Sequence, residues 1–202
     1  MEVKCLLGIS CILRILWYNK YKYIFGGDNM NNELRMLINN LTQDIIDLYN
    51  IRIPIENINN VVMTLGGSVE ESIDIDNMSD GSVRKQDNGF IIYVSPFQSS
   101  ERKKFTIAHE LGHLFLHMGY RINSDLWNKQ KNATYYRSGD SLMEYQANEF
   151  AAALLMPKKE YKKIMDQYTI GNKVETDKVA DYFGVSVSAA SNRGKFLGYL
   201  QW

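Results

Sequence analysis

Apolar residues recur at helical spacing in the first well-patterned part of the chain. From Asn31 onward they repeat every three or four positions, which predicts an amphipathic helix ending at about Tyr49. Pro54 and the step Ile55–Ile58 predict the start of a second, short helix, and Gly66 and Gly67 predict its end. Short segments follow at 68–75 and 81–86, and the β-branched and aromatic residues of 89–95 predict a strand.

A longer helix is predicted after this strand. No proline or other helix-breaking cluster lies between Arg102 and Met118. We therefore expect one helix from Ser100 to His117, with Ser99 or Ser100 as its N-cap.

Two of the three histidines in the chain, His109 and His113, lie four residues apart in this predicted helix. Because that spacing puts both imidazoles on one helical face, they could bind one Zn²⁺ ion, with Glu110 beside the first of them. The competing interpretation is a buried amphipathic helix whose histidines are core residues. The rarity of histidine in the chain favours a metal site.

A zinc site for hydrolysis needs three protein ligands and one open position, so a third ligand must come from another segment. Glu144 is the best candidate, because small residues downstream would allow its helix to approach Gly112 closely; these are Ala147, Ala151 and Ala152. Asn148 lies one turn after Glu144 and is placed to accept a hydrogen bond from a ligating imidazole. His117 continues the four-residue step, but a metzincin site would need histidine where Gly119 lies. We expect His117 to support the site or pack beside it.

The residues around these positions resemble the ImmA/IrrE family of metallopeptidases from about Met30 to the end of the chain. The stretches that carry the resemblance are Phe105–His117, Glu144–Ala151 and Leu154–Pro157. The resemblance implies an α+β, zincin-like metallopeptidase domain with a small mixed sheet, a His-Glu-x-x-His helix and a second site helix. It also implies one zinc ion per chain, held by His109, His113 and Glu144, with Glu110 as general base.

Two further features of such a site are the residues that bind the oxyanion and the strand that contacts the substrate. Tyr135, Tyr136 and Arg137 lie in the polar stretch between the two site helices and are candidates to hold a developing oxyanion. In zinc peptidases a strand before the metal helix commonly offers its edge to an extended substrate, which is the role we expect for 89–95. The alternative is that this strand is simply core sheet, and both can hold at once.

The first 29 residues differ in pattern from the rest. Their apolar run is interrupted by Arg14, is too short to span a membrane, lacks a convincing signal-peptide cleavage site, and does not suit a lipoprotein signal at Cys11. We expect an N-terminal extension outside the fold at 1–29, a metallopeptidase domain at 30–157 and a C-terminal helical subdomain packed on it at 158–202. A peripheral membrane anchor at 1–29 is the alternative.

The C-terminal tail resembles a helix-turn-helix between Asp177 and Arg193, with Gly184 at the turn and Ser186 as the second cap. From Gly171 onward the chain has four basic and three acidic residues, which leaves little net positive charge to neutralise phosphates. The whole chain likewise balances 23 basic against 23 acidic residues. Binding of nucleic acid or of an anionic membrane is therefore not expected. Apolar residues should instead pack the tail on the domain or form a docking surface for a substrate.

Both cysteines lie in the N-terminal extension, so the predicted domain has no disulfide framework and no cysteine ligands. This composition fits a cytoplasmic protein. The resemblance implies a zinc-dependent endopeptidase that cleaves a regulatory protein, commonly a helix-turn-helix repressor of a mobile element or phage. The alternatives are a non-catalytic metal-binding or sensor module and a DNA-binding regulator acting through the tail. A site of two histidines and one carboxylate could also hold Mn²⁺ or Fe²⁺.

Overall fold

The structure is a computed structural model that describes residues 30–73, 80–86, 89–130, 134–135 and 142–202, with the backbone alone at 134–135. Its helices are α1 (Asn32–Leu48), α2 (Ile58–Leu65), α3 (Ser100–Leu116), α4 (Ser124–Lys129), α5 (Leu142–Leu155), α6 (Lys158–Gln167), α7 (Thr176–Phe183) and α8 (Val187–Phe196). Its strands are β1 (Gly67–Glu71), β2 (Gly81–Gln86), β3 (Gly89–Val94), β4 (Thr134–Tyr135), β5 (Thr169–Ile170) and β6 (Lys173–Val174). The α+β prediction is confirmed. The predictions made for 1–29 lie outside the described residues.

The two leading helices are set by asparagine caps. The side chain of Asn31 accepts a hydrogen bond from the backbone of Leu34 at 2.8 Å and starts α1, whose apolar stripe is buried as its spacing predicts. The second helix begins at Ile58, the last residue of the predicted opening, and not at Pro54. The reason is that the side chain of Asn57 accepts a hydrogen bond from Asn59 at 2.9 Å and supplies the cap.

Four strands form a small mixed sheet in the order β1-β3-β2-β4. β3 pairs in parallel with β1 and antiparallel with β2, and β2 pairs antiparallel with β4. Because β3 has a neighbour on both sides, it offers no free edge to a substrate. The edge-strand prediction for 89–95 is therefore wrong, and its core-sheet alternative is correct.

α3 lies against the sheet and also packs along α5. The two helices approach closely where Gly112 faces Ala147, since a Cβ atom at Gly112 would lie only 2.9 Å from the Cα of Ala147. The close crossing expected from the small residues is present. It brings the middle of α3 against the first turns of α5.

The C-terminal part adds α6, a β5–β6 hairpin and the pair α7 and α8. Gly184 ends α7 at φ 60°, a left-handed conformation that glycine adopts without steric cost, and the Ser186 side chain caps α8. The tail residues Val179, Phe183 and Val185 are buried in the common core. Among the described residues, no helix combines the length and the apolar character needed to cross a membrane.

Candidate metal centre

Two imidazole nitrogens and one carboxylate converge between α3 and α5. The Nε2 atoms of His109 and His113 lie 2.9 Å apart. The carboxylate of Glu144 reaches them from α5, with Oε2 at 3.3 Å from the first Nε2 and Oε1 at 3.2 Å from the second. Within the described ranges, this is the one group of three or more histidine, cysteine or acidic residues whose ligand atoms lie close enough together to hold a metal ion.

The spacing of these donor atoms fits a small divalent cation. A tetrahedral ion with bonds of about 2.0–2.1 Å separates its ligand atoms by about 3.3 Å. Both histidines are buried, and the Glu144 side chain keeps 15% of its surface exposed. Two nitrogens and one oxygen suit zinc but also manganese or iron, so the donor set does not select the ion.

The other nitrogen of each ligating ring is held by a hydrogen bond. His109 Nδ1 donates to Asn148 Oδ1 at 3.0 Å, and His113 Nδ1 donates to His117 Nδ1 at 2.8 Å. His117 in turn donates through Nε2 to Gln146 Oε1 at 2.9 Å. With these partners each ligand presents the lone pair of Nε2, which is the tautomer that a metal site requires.

The electrostatics of the site agree with this pattern. Burial, followed by the charge that His113 can carry, lowers the pKa of His117 to about 3. The His117 ring is therefore neutral at pH 7, and its Nδ1 can accept the hydrogen bond from His113. Burial acts to raise the pKa of Glu144, but the interaction of its carboxylate with the two facing imidazoles outweighs it and holds that pKa well below its usual range. Glu144 is thus available as an anion.

Glu110 follows His109 on α3 and is also buried. Its carboxylate lies beside the start of β2, where a Cβ atom at Gly81 would stand 3.3 Å from Glu110 Oε1 and 2.6 Å from the Thr106 methyl group. The absence of a side chain at Gly81 thus lets β2 approach α3 at this point. Glu110 is placed next to the ligand set without belonging to it.

The structure brings five of the nine predicted site residues into this arrangement, and it buries a sixth, Glu110, next to His109 on α3; the five are His109, His113, His117, Glu144 and Asn148. Of the three oxyanion candidates, Tyr135 is placed only by its backbone in β4, and Tyr136 and Arg137 lie outside the described residues. Gln146 was missed. The sequence did contain a signal for Gln146, because it lies four positions before Phe150 on a helical face that is buried. A buried side-chain amide needs a hydrogen-bond partner.

The sequence also did not reveal a buried ionic cluster beside the centre. Glu149, the residue after Asn148, accepts hydrogen bonds from Arg193 at 2.9 Å, Arg35 at 2.5 Å and Asn39 at 2.7 Å. Arg193 is 2% exposed and also donates to the carbonyl of Met156 at 3.0 Å. The cluster joins α1 and α8 to the same helix, α5, that carries Glu144 and Asn148.

Comparison with known proteins adds two findings. The model of the M78 peptidase family, described as the IrrE N-terminal-like domain, matches residues 71–195. Among solved structures, a Mycobacterium tuberculosis transcriptional regulator is similar at 15% identity and a TM-score of 0.51, over 88% of this chain and 50% of that one. This chain therefore spans about half the length of that protein, and the likeness is one of fold. No curated protein matches the sequence.

Proposed function

The chain belongs to the M78 family of metallopeptidases with an IrrE N-terminal-like domain, and from that premise we propose that it is a zinc-dependent endopeptidase. The observation that carries the proposal is the convergence of His109, His113 and Glu144, with Glu110 adjacent on the same helix. Family membership also agrees with the zincin-like fold expected from the sequence.

The chemistry can be assigned to named side chains. His109, His113 and Glu144 would hold the ion, which when bound polarises the scissile carbonyl and acidifies water. Glu110 takes a proton from the attacking water and delivers it to the leaving amine, as a general base and then a general acid. Its burial strengthens this role, because charges act more strongly on one another away from solvent.

The remaining residues of the centre orient these groups. Asn148 and His117 fix the tautomers of the two ligating rings, and Gln146 fixes His117 in turn. Tyr135, Tyr136 and Arg137 stay our candidates for holding the oxyanion.

For the substrate we propose limited proteolysis of a regulatory protein, of the repressor type encoded on a mobile element or phage. The sequence resemblance supports this proposal. We do not propose DNA as the ligand of the tail. Arg193, one of its four basic residues, is buried against Glu149 and faces no solvent.

The test uses the full chain, loaded with zinc and dialysed, as wild type, Glu144→Ala and Glu110→Gln. We expect about one zinc per chain in wild type and Glu110→Gln, and loss of zinc in Glu144→Ala. A peptide library should be cleaved by wild type alone. Glu110→Gln cleaving as fast as wild type would overturn the assigned base. A wild type that holds zinc and cleaves nothing would favour the non-catalytic metal module, and an empty wild type would overturn the metal centre.

A further inference from the structure

We propose that α8, the second helix of the helix-turn-helix-like tail, forms one wall of the groove that receives the protein substrate. It selects substrate segments that carry large apolar side chains. This inference rests on the proposed peptidase function and assigns to the tail a part in choosing the substrate.

The groove is a cavity of about 900 Å³ between α3, α5 and the α7–α8 pair. This volume is near the upper end of the range for ligand sites in proteins. α8 and the turn before it contribute the largest share of the tail's lining, including Val187, Arg193 and Phe196.

The groove adjoins the candidate metal centre, although none of the three possible ligands lines it. Asn148 lines it and holds His109, and Tyr145, which follows Glu144, lines it too. Among the described residues, α3 contributes only positions that precede His109, the last being Thr106. The groove therefore lies to one side of the centre. A polypeptide bound there would have the residues on one side of its cleaved bond in contact with α8.

Three large apolar side chains with substantial exposure line the groove. These are Tyr145, Val187 and Phe196, which are 53%, 52% and 47% exposed, and Phe105 and Ala152 are among the other apolar residues of the lining. Clustered exposed apolar side chains in a groove mark a place where a partner covers them. Aliphatic and aromatic side chains of a substrate are the groups that this surface would remove from water most favourably.

The α8 wall is held rigidly in place. Arg193, on the buried side of the helix, is fixed by Glu149 and by the Met156 carbonyl, and the Tyr161 hydroxyl donates to the Ala190 carbonyl at 2.7 Å. Because Glu149 adjoins Asn148 on α5, α8 keeps a fixed position relative to the metal centre. Because the wall is already ordered, binding of a substrate side chain there requires no further loss of conformational entropy from α8.

The charges around the groove suit a polypeptide better than a nucleic acid. Four carboxylates and three guanidinium groups line it; they are Asp80, Glu101, Glu149 and Asp181, and Arg35, Arg102 and Arg193. Two of the guanidinium groups are bound to Glu149 and the third to Asp80. A polyanion would therefore meet no excess of positive charge.

The experiment replaces Val187 with aspartate in the full chain. Val187 is exposed and begins α8, where an acidic residue interacts favourably with the helix dipole, so the fold should persist. Ile170→Asp is the matched control, since Ile170 is 70% exposed and lies outside the groove lining. The probe is a peptide library made from soluble proteins with a glutamyl endopeptidase, which retains internal lysine and arginine. Cleaved bonds are identified by mass spectrometry, with Glu110→Gln as the blank.

We expect wild type and Ile170→Asp to enrich large apolar residues at fixed positions on one side of the cleaved bond. In Val187→Asp this preference should fall about tenfold, a usual size for a change in one apolar subsite, and lysine or arginine should be enriched there. Identical profiles in all three active proteins, or apolar enrichment on both sides alike, would overturn the inference and leave the peptidase function standing. No cleavage above the blank by wild type would overturn both.

Discussion

Gly112→Ala tests whether the close crossing of α3 and α5 builds the metal centre. The added methyl carbon would lie 2.9 Å from the Cα of Ala147, 3.0 Å from its carbonyl oxygen and 3.2 Å from the Cβ of Phe150. Two of these atoms are backbone, so a side-chain rotation cannot relieve the contact. The helices must move apart, and α5 carries Glu144.

The expected size of the effect follows from these distances. A favourable carbon–carbon contact lies at about 3.5 Å, so α5 must shift by about 0.6 Å at this point. Overpacking of this kind costs about 1–3 kcal/mol, and the better helix propensity of alanine returns about 1 kcal/mol. A net loss of about 1 kcal/mol lowers the Tm by about 2–4 °C in a chain of this length.

The effect on metal binding should be larger than the effect on stability. Metal–ligand distances tolerate deviations of only about 0.2 Å, so a shift of Glu144 by several tenths of an ångström should weaken zinc binding at least about tenfold, or about 1.4 kcal/mol. Thermal unfolding of the metal-free protein measures stability, and titration of zinc against a competing chelator measures affinity.

Gly194→Ala is the matched control, because a Cβ atom there would meet the Tyr161 hydroxyl oxygen at 2.5 Å and Leu200 at 2.6 Å, within the tail. It should lower the Tm and leave the zinc affinity of the folded protein unchanged. The reasoning is refuted if Gly112→Ala binds zinc as tightly as Gly194→Ala does, or if it melts above wild type.

Three further predictions concern the surrounding contacts. Asn148→Ala should weaken zinc binding about 10–100-fold, measured by chelator competition, because His109 loses its hydrogen-bond acceptor. Asn148→Asp keeps an acceptor and should retain most of the zinc affinity. An equal loss of affinity in both variants would contradict this role. Arg193→Ala should destabilise the protein by about 3–5 kcal/mol in urea unfolding, since Glu149 keeps its buried charge with one partner fewer; a loss below about 1 kcal/mol would show the cluster to be unimportant. Burial raises the pKa of Tyr161 to about 12 in the folded protein. The stability that this shift contributes to the folded state is therefore fully present below the unfolded-state pKa of about 10, and it is lost as pH rises toward 12. Wild type should therefore lose stability over that pH range more steeply than Tyr161→Phe, by up to about 1.4 kcal/mol per pH unit, and parallel curves would contradict the assignment.

Features that lie within a single helix or turn could be predicted from the sequence, whereas most contacts between separate elements could not. The helix from Ser100, the shared face of His109 and His113, and the turn at Gly184 all follow from backbone geometry and capping within a few residues. Such features need no knowledge of the rest of the chain. The start of α2 was misplaced because Asn57 competes locally with Pro54, and the sequence did not decide between them.

Contacts between elements were decided by the tertiary structure. β3 is interior because β1 and β2 both pair with it, and the residues of one strand do not determine the order of strands in the sheet. Arg193 looked like a solvent-exposed cation of the tail, yet it is buried because Glu149 and Asn39 come from distant parts of the chain to meet it. The sequence by itself determined which side chains could bind a metal and on which helical faces they lie, since helical periodicity is local. Only the packing of α5 and α8 decided that Gln146 completes the support of the centre and that the tail borders a groove, because those positions depend on how separate surfaces fit together.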